Sequence, residues 1–116
     1  MHNFNRLEVW QKARKLCKTI YEVTGVFPKS EQFGLTSQIR KASISIASNI
    51  AEGSGRNSKK EFTHFLSISN GSAFEVETQI YISRDLNYID KETEKTIIEE
   101  LQIIQKMLNK LIVYYS

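Results

Sequence analysis

A chain of 116 residues, 41% hydrophobic and 25% charged, has the size and composition of one globular domain with a single core. No uninterrupted apolar run approaches the ~20 residues that span a bilayer, which excludes a membrane-spanning helix. The opening Met1-His2-Asn3-Phe4-Asn5-Arg6 carries no apolar stretch of the kind a secretory leader needs, so a cytoplasmic protein is expected. The single cysteine, Cys17, has no partner for an internal disulfide and suits a reducing compartment such as a bacterial cytoplasm. The net charge of +3 is unevenly placed: residues 1–60 carry +7 and residues 61–116 carry −4. That asymmetry reads either as a basic face for nucleic acid or as halves that attract each other within a bundle or between subunits.

The spacing predicts a first helix over residues 6–26. Its inward stripe is Trp10, Ala13, Cys17, Ile20 and Thr24, widened by Leu7, Leu16 and Tyr21. The intervals alternate three and four, as a helix burying one face requires. Gly25 loosens its end, and Phe27-Pro28 closes it because the residue before proline is pushed out of the α region. On that stripe Cys17 is expected to be a small buried hydrophobe.

A second helix is predicted over 35–52, with Leu35, Ile39, Ala42, Ile46 and Ile50 inward and Gly53 as its stop. Ser43, Ser45, Ala47, Ser48 and Ala51 surround that stripe. Serine is a mediocre helix former, so propensity does not account for so many. Either small side chains let a neighbouring backbone come close, or they form a solvated face.

The third helix opens with a capping box, Ser58 accepting from the Glu61 amide and Glu61 reaching back to Ser58. Phe62, Phe65, Leu66, Ser69, Ala73, Val76 and Ile80 trace its buried stripe to about Leu86, and Asn87 can take the left-handed conformation that ends a helix. Gly71 falls mid-helix, where it costs ~1 kcal/mol relative to Ala. With Ser69, Ser72 and Ala73 beside it, close approach of the second helix is the expected compensation.

A fourth helix is predicted over 91–114 with Asp90 as N-cap. Ile97, Leu101, Ile104, Leu108, Leu111 and Tyr115 form its stripe. Ile98, Met107 and Ile112 widen it, which predicts a second contact inside the bundle or with another subunit. Short connections make sequential neighbours antiparallel, so the expected fold is all-α, one up-down-up-down four-helix bundle over residues 1–116.

Catalytic patterns do not add up. Glu61-x-x-His64 has the spacing of di-iron bundles, but those need a second copy and two more inward carboxylates, and the other histidine is His2. Cys17 has no histidine on its helix, no serine sits in Gly-x-Ser-x-Gly, and Gly53-Ser54-Gly55-Arg56 lacks both the ending and the preceding strand of a phosphate loop. The expectation is no enzyme, no cofactor and no metal.

Basic clusters remain: Arg14, Lys15 and Lys18 on the first helix, Arg40 and Lys41 on the second, and Arg56, Lys59 and Lys60 around the turn into the third. Lys59 and Lys60 stand at a helix N-terminus, where positive charge is mildly unfavourable unless an anion or carboxylate is near. These eight are the candidate nucleic-acid-binding residues, through salt-sensitive and largely sequence-independent phosphate contact. Solvated surface charge is the plainer reading of the same residues. Tyr88, Tyr114 and Tyr115 suit either base stacking or subunit contact. Asn49, Glu52 and Arg56 are expected to form a polar network tying this corner to the third helix through Arg56 and Glu61, a reading preferred to a ligand site.

The segments Phe33-Gly34-Leu35, Gln38-Ile39-Arg40-Lys41-Ala42, Asn49-Ile50-Ala51-Glu52-Gly53 and Arg56-Asn57-Ser58-Lys59-Lys60-Glu61-Phe62 resemble the small four-helix-bundle proteins encoded in intervening sequences of bacterial 23S ribosomal RNA genes. Leu7-Glu8-Val9-Trp10, Ala13, Tyr21, Phe27-Pro28, Phe65-Leu66 and Leu86-Asn87-Tyr88-Ile89 follow the same pattern in order. Departures are Asn87, where that family commonly has glycine, and Asn70-Gly71-Ser72 with Phe74-Glu75, where Ala-Leu-like residues are frequent. The resemblance implies an antiparallel bundle assembled into a ring-like homo-oligomer, a pentamer. A related branch resembles accessory proteins of diversity-generating retroelements, which implies nucleic acid and a reverse transcriptase as partners. It carries over no catalytic residues.

Two functions are thus expected of this chain. One is a non-enzymatic oligomeric bundle that binds RNA or DNA weakly through the eight basic residues. The other is an interaction scaffold whose basic half docks an acidic protein partner or another subunit, without nucleic acid.

Overall fold

The computed structural model describes residues 3–116. Among them are four α-helices, α1 (Glu8–Thr24), α2 (Leu35–Ser54), α3 (Lys59–Asp85) and α4 (Lys91–Tyr115), and no strand. Short 3-10 turns, Phe4–Arg6 and Lys29–Glu31, precede α1 and α2. Among the described residues no helix is long and apolar enough to cross a membrane. All four helices contribute to one buried cluster, with Leu16 and Ile20, Ile39 and Ile46, Leu66 and Ile80, and Leu101 and Leu108 fully enclosed.

Local chemistry sets the helix ends. Ser58 Oγ accepts from the Glu61 amide at 3.1 Å and donates to the Glu61 carboxylate at 3.3 Å, so the cap forms with its return contact made to the hydroxyl. Asn87 has φ +63°, and the bonds Asn87 N–H to Arg84 O and Tyr88 N–H to Ser83 O close a Schellman motif. The start of α2 is capped from outside the predicted pattern. Glu31 Oε1 accepts the Leu35 amide at 3.1 Å, and its other oxygen accepts the Tyr88 hydroxyl at 2.8 Å. One carboxylate thereby ties the α1–α2 connection to the α3–α4 connection, and that bond raises the Tyr88 phenol above its ordinary pKa.

Asp90 Oδ1 accepts the Thr93 amide at 2.8 Å and caps α4. Hydrogen bonding from Thr93, side chain and then backbone, holds the Asp90 carboxyl below its ordinary 3.8. The folded state thus prefers the carboxylate. Its contribution is present above pH 3.8 and is lost as pH falls through the lower folded value. Asparagine also caps helices but does not titrate. The Asp90→Asn variant should therefore hold a constant stability difference from the parent above about pH 5 and close or reverse it in acid, read from urea midpoints. An unchanging difference across the whole range would remove the cap's role in acid sensitivity.

Packing corrects the sequence reading at several points. In α1 the buried set is Val9, Ala13, Leu16, Ile20 and Thr24, while Trp10 and Cys17 are half-buried and Tyr21 is exposed. Both sets keep three-four spacing and share Ala13, Ile20 and Thr24, so periodicity alone does not separate them. The aliphatic side chains fill the core, and the indole and thiol are left at its edge. Phe65 is likewise half-buried.

Neither of the two informative glycines has the role expected of it. Gly53 is not the stop of α2, which continues to Ser54 and ends at Gly55, and no glycine has positive φ. Gly53 is instead a point of close approach by α3. A Cβ there would lie 2.7 Å from Phe65 Cβ and 3.1 Å from Phe62 Cδ1. Around Gly71 nothing lies within 4 Å of an added Cβ, and the residue is exposed. Helices α2 and α3 do touch near it, through Ser69 donating to Ile46 O at 2.7 Å and a 2.8 Å Ser45–Ser72 hydroxyl pair. In α4, Ile98 is buried, and Met107 and Ile112 pack against the core within the chain, while Ile103, Val113 and Tyr114 face outward.

Candidate nucleic-acid interface

The eight basic candidates divide by what the fold asks of them. Arg40 is committed to structure. Its Nε donates to Thr24 Oγ1 at 2.8 Å, its Nη2 donates to Tyr21 O at 3.2 Å, and its guanidinium lies 4.4 Å from the Tyr21 ring centroid. It satisfies the carbonyl end of α1, where a cation also complements the helix dipole.

Arg56 is similarly engaged. It bonds Glu52 at 2.5 Å, approaches Glu61 at 4.0 Å and lies over the Phe65 ring at 4.9 Å. The expected corner network therefore forms through Arg56 and Glu61. Asn49 stays outside it, donating back to Ser45 O and Oγ within α2.

Arg14, Lys15, Lys18, Lys41, Lys59 and Lys60 are exposed. Three of them converge. Arg14, Lys15 and Lys18, at intervals of one and three on the outward face of α1, line a shallow depression of about 260 Å³ together with Gln11 and no acidic side chain. Lys15 also borders a second hollow with Lys12, Glu100 and Ile103, where a carboxylate is present. Lys59 and Lys60 occupy the first turn of α3, beside the Arg56–Glu61 corner.

Between α1 and α2 runs a larger groove of about 390 Å³. Phe4, Trp10, Cys17 and Tyr21 form one wall, Ile44, Ala47, Ser48 and Ala51 the other, and Arg14 and Lys18 the rim. The 3-10 turn closes one part of it: Gln11 Nε2 donates to Asn5 O at 3.0 Å, and Phe4 meets Trp10 edge-on at 5.1 Å. Arg14 lies 5.5 Å from the Trp10 ring centroid. A further hollow lined by Ser48, Ala51, Glu52, Gly55 and Arg56 shares two residues with the groove, so the depression runs along α2 to its end.

Sequence reasoning missed this groove because its lining was assigned to the core or to a solvated serine face. A signal was present. Trp10, Cys17 and Tyr21 keep helical spacing, as do Ile44, Ala47, Ser48 and Ala51, and each set forms a second stripe beside the buried one.

Of the tyrosines, Tyr88 is held by Glu31 and tilts against Phe27 at 5.2 Å. Tyr115 packs edge-on against Phe62 at 5.1 Å and against Tyr114 at 4.9 Å. Tyr114 remains mostly exposed. Cys17 accepts a hydrogen bond from Ser43 Oγ at 3.6 Å. His64 is exposed and meets Phe65 edge-on, and His2 lies outside the described residues. Among the described residues no group of three or more His, Cys, Asp or Glu side chains is arranged to hold a metal ion.

A family model described as 23S rRNA-intervening sequence protein matches residues 5–110. A crystal structure of a protein of unknown function from the S23 ribosomal protein family of Bacteroides thetaiotaomicron superposes with a TM-score of 0.81. The alignment covers 90% of this chain and 94% of that one at 24% identity, which is a likeness of fold. Comparison with curated proteins gave no match.

Proposed function

The chain belongs to the 23S rRNA-intervening sequence protein family, and on that premise we propose that it is a non-enzymatic, homo-oligomeric four-helix bundle that binds nucleic acid through the outward face of α1. The observation that carries this reading is the convergence of Arg14, Lys15 and Lys18 on one depression without a carboxylate. Lys41, Lys59 and Lys60 add exposed charge, while Arg40 and Arg56 serve the fold. Few phosphate contacts per chain imply weak, sequence-independent binding, with dissociation constants of ~10⁻⁴–10⁻⁶ M. Assembly into a ring, a pentamer, multiplies those contacts and raises avidity without any new one. Outward Phe74, Tyr81 and Ile82 on α3 and Ile103, Val113 and Tyr114 on α4 support such self-association.

An antiparallel up-down-up-down course is supported by the paired contacts. Cys17 meets Ser43 and Thr24 meets Arg40; Ser45 meets Ser72 and Gly53 meets Phe65; Asn70 meets Asn109 and Gln105 meets Glu77. In each helix pair one residue number rises as the other falls. A cytoplasmic setting suits a chain that binds RNA or DNA.

The test is fluorescence anisotropy of labelled RNA and DNA with micromolar protein, alongside the ultraviolet absorbance ratio across a size-exclusion peak of calibrated mass. Binding at ~50 mM salt that weakens steeply as salt rises is expected. No binding of either nucleic acid at that salt, or copurification of an acidic protein with nucleic acid absent, would discard the reading in favour of a protein scaffold.

A further inference from the structure

We propose that the α1–α2 groove is a base-stacking cleft for single-stranded nucleic acid: unpaired bases lie against Tyr21 and Trp10 while Arg14 and Lys18 hold the adjoining phosphates. The inference rests on the nucleic-acid reading above and narrows it from any nucleic acid to unpaired strands.

Three features point there. The groove is walled by rings and small aliphatic side chains, with Tyr21 40% and Ile44 44% exposed between cations that face solvent. Exposed apolar surface held open among positive charges has little to offer a duplex. A duplex presents phosphates outward and keeps its bases stacked inside. An unpaired strand offers both flat apolar faces and phosphates, and stacking on aromatic side chains is tolerant of sequence.

Guanidinium groups already lie against both rings, Arg14 on Trp10 at 5.5 Å and Arg40 on Tyr21 at 4.4 Å. A base laid on the exposed part of either ring continues that alternation of cation and π-face. Dimensions agree as well. A volume of about 390 Å³ lies low in the ~300–1,000 Å³ range of ligand clefts, room for flat rings rather than for a packed helix. Through Ser48 and Ala51 the depression continues along α2, which rises about 15 Å from Ile44 to Ser54, a track along which a strand can extend as far as the Glu52 carboxylate, already paired with Arg56.

The chain contains one tryptophan and one cysteine, and both line this groove. They make occupancy directly readable. The full chain is titrated at ~50 mM salt with an oligothymidylate of about ten nucleotides and with a duplex of the same length. Anisotropy, Trp10 emission and the rate of Cys17 modification by a thiol reagent are followed together.

The single strand is expected to quench Trp10 and to slow Cys17 modification several-fold over the same concentration range as the anisotropy change. The duplex should do neither. Tyr21→Leu and Ile44→Glu should each weaken single-strand binding on the order of tenfold, with helical circular dichroism unchanged, whereas Tyr21→Phe keeps the ring and the affinity. Anisotropy binding with unaltered Trp10 emission and Cys17 rate would overturn the proposal while leaving the cationic reading intact. Equal affinity for duplex would do the same. No binding of either probe removes both together.

Discussion

Replacing Gly53 by alanine should destabilise the protein by about 1–2 kcal/mol, while the same change at Gly71 should stabilise it by about 1 kcal/mol. Gly71 lies mid-helix and gains ~1 kcal/mol of helix propensity on substitution, whereas Gly53, one residue before the end of α2, gains at most that. The larger difference is the space. At Gly53 the new methyl would sit 2.7 Å from Phe65 Cβ, an atom fixed to the α3 backbone, so α3 must move rather than a flexible side-chain tip. Overpacking of that kind costs about 1–3 kcal/mol and more than cancels the propensity gain. The cost rises further because the neighbours displaced include Phe62, which is fully enclosed. At Gly71 the methyl meets nothing within 4 Å. Thermal unfolding at fixed protein concentration reads both, at roughly 4 °C per kcal/mol for a domain of this size. A Gly53→Ala protein as stable as its parent would show that the α2–α3 approach is looser than 2.7 Å implies. A destabilised Gly71→Ala protein would mean that another molecule covers that face of α3, and the loss should then depend on protein concentration.

These two glycines also mark the boundary of what was legible in the sequence. Features governed by residues within four positions of one another were the most readable: the Ser58 and Asp90 caps and the left-handed Asn87 form where expected, and each apolar periodicity marks a helix, though not which of its residues are buried. Features governed by a partner helix were not. Gly53 looks like a stop because glycines often end helices, yet its role is fixed by Phe62 and Phe65 across the seam. Trp10 and Cys17 fit the α1 stripe as well as Val9 and Leu16 do, and only the placement of the neighbouring helices selects between them. Glu31 caps α2 from the preceding 3-10 turn, and although Leu35 is only four residues on, its carboxylate is also held by Tyr88 from the far connection. For the candidate site, the eight cations were visible as charges, but not which of them the fold consumes. Arg40 is tied to the Tyr21 carbonyl and the Thr24 hydroxyl of α1, and Arg56 to Glu52 and Glu61, because helix ends meet there. The groove joins residues from two helices, some 30 positions apart, and no single window of sequence contains it.

Removing the three convergent cations together should weaken nucleic-acid binding on the order of a hundredfold at ~50 mM salt and flatten its salt dependence. Counterion release sets the size of the effect. Each phosphate neutralised by Lys or Arg releases condensed cations, so log affinity against log salt has a slope of about −0.7 per contact for a single strand. The triple change Arg14→Ala, Lys15→Ala, Lys18→Ala deletes three such contacts and should make the slope shallower by about 2. Stability should change little, because all three side chains are exposed. Arg40→Ala supplies the contrast. Its guanidinium bonds Thr24 and Tyr21 O, so its loss should lower thermal stability and leave the salt slope where it was. The two variants thus separate charge that serves a ligand from charge that serves the fold. A salt slope unchanged in the triple variant would place the phosphate contacts elsewhere, and Lys41, Lys59 and Lys60 would then be the cations to remove next. A slope lost in Arg40→Ala but kept in the triple variant would reverse the assignment, moving the interface from the outward face of α1 to the end of that helix.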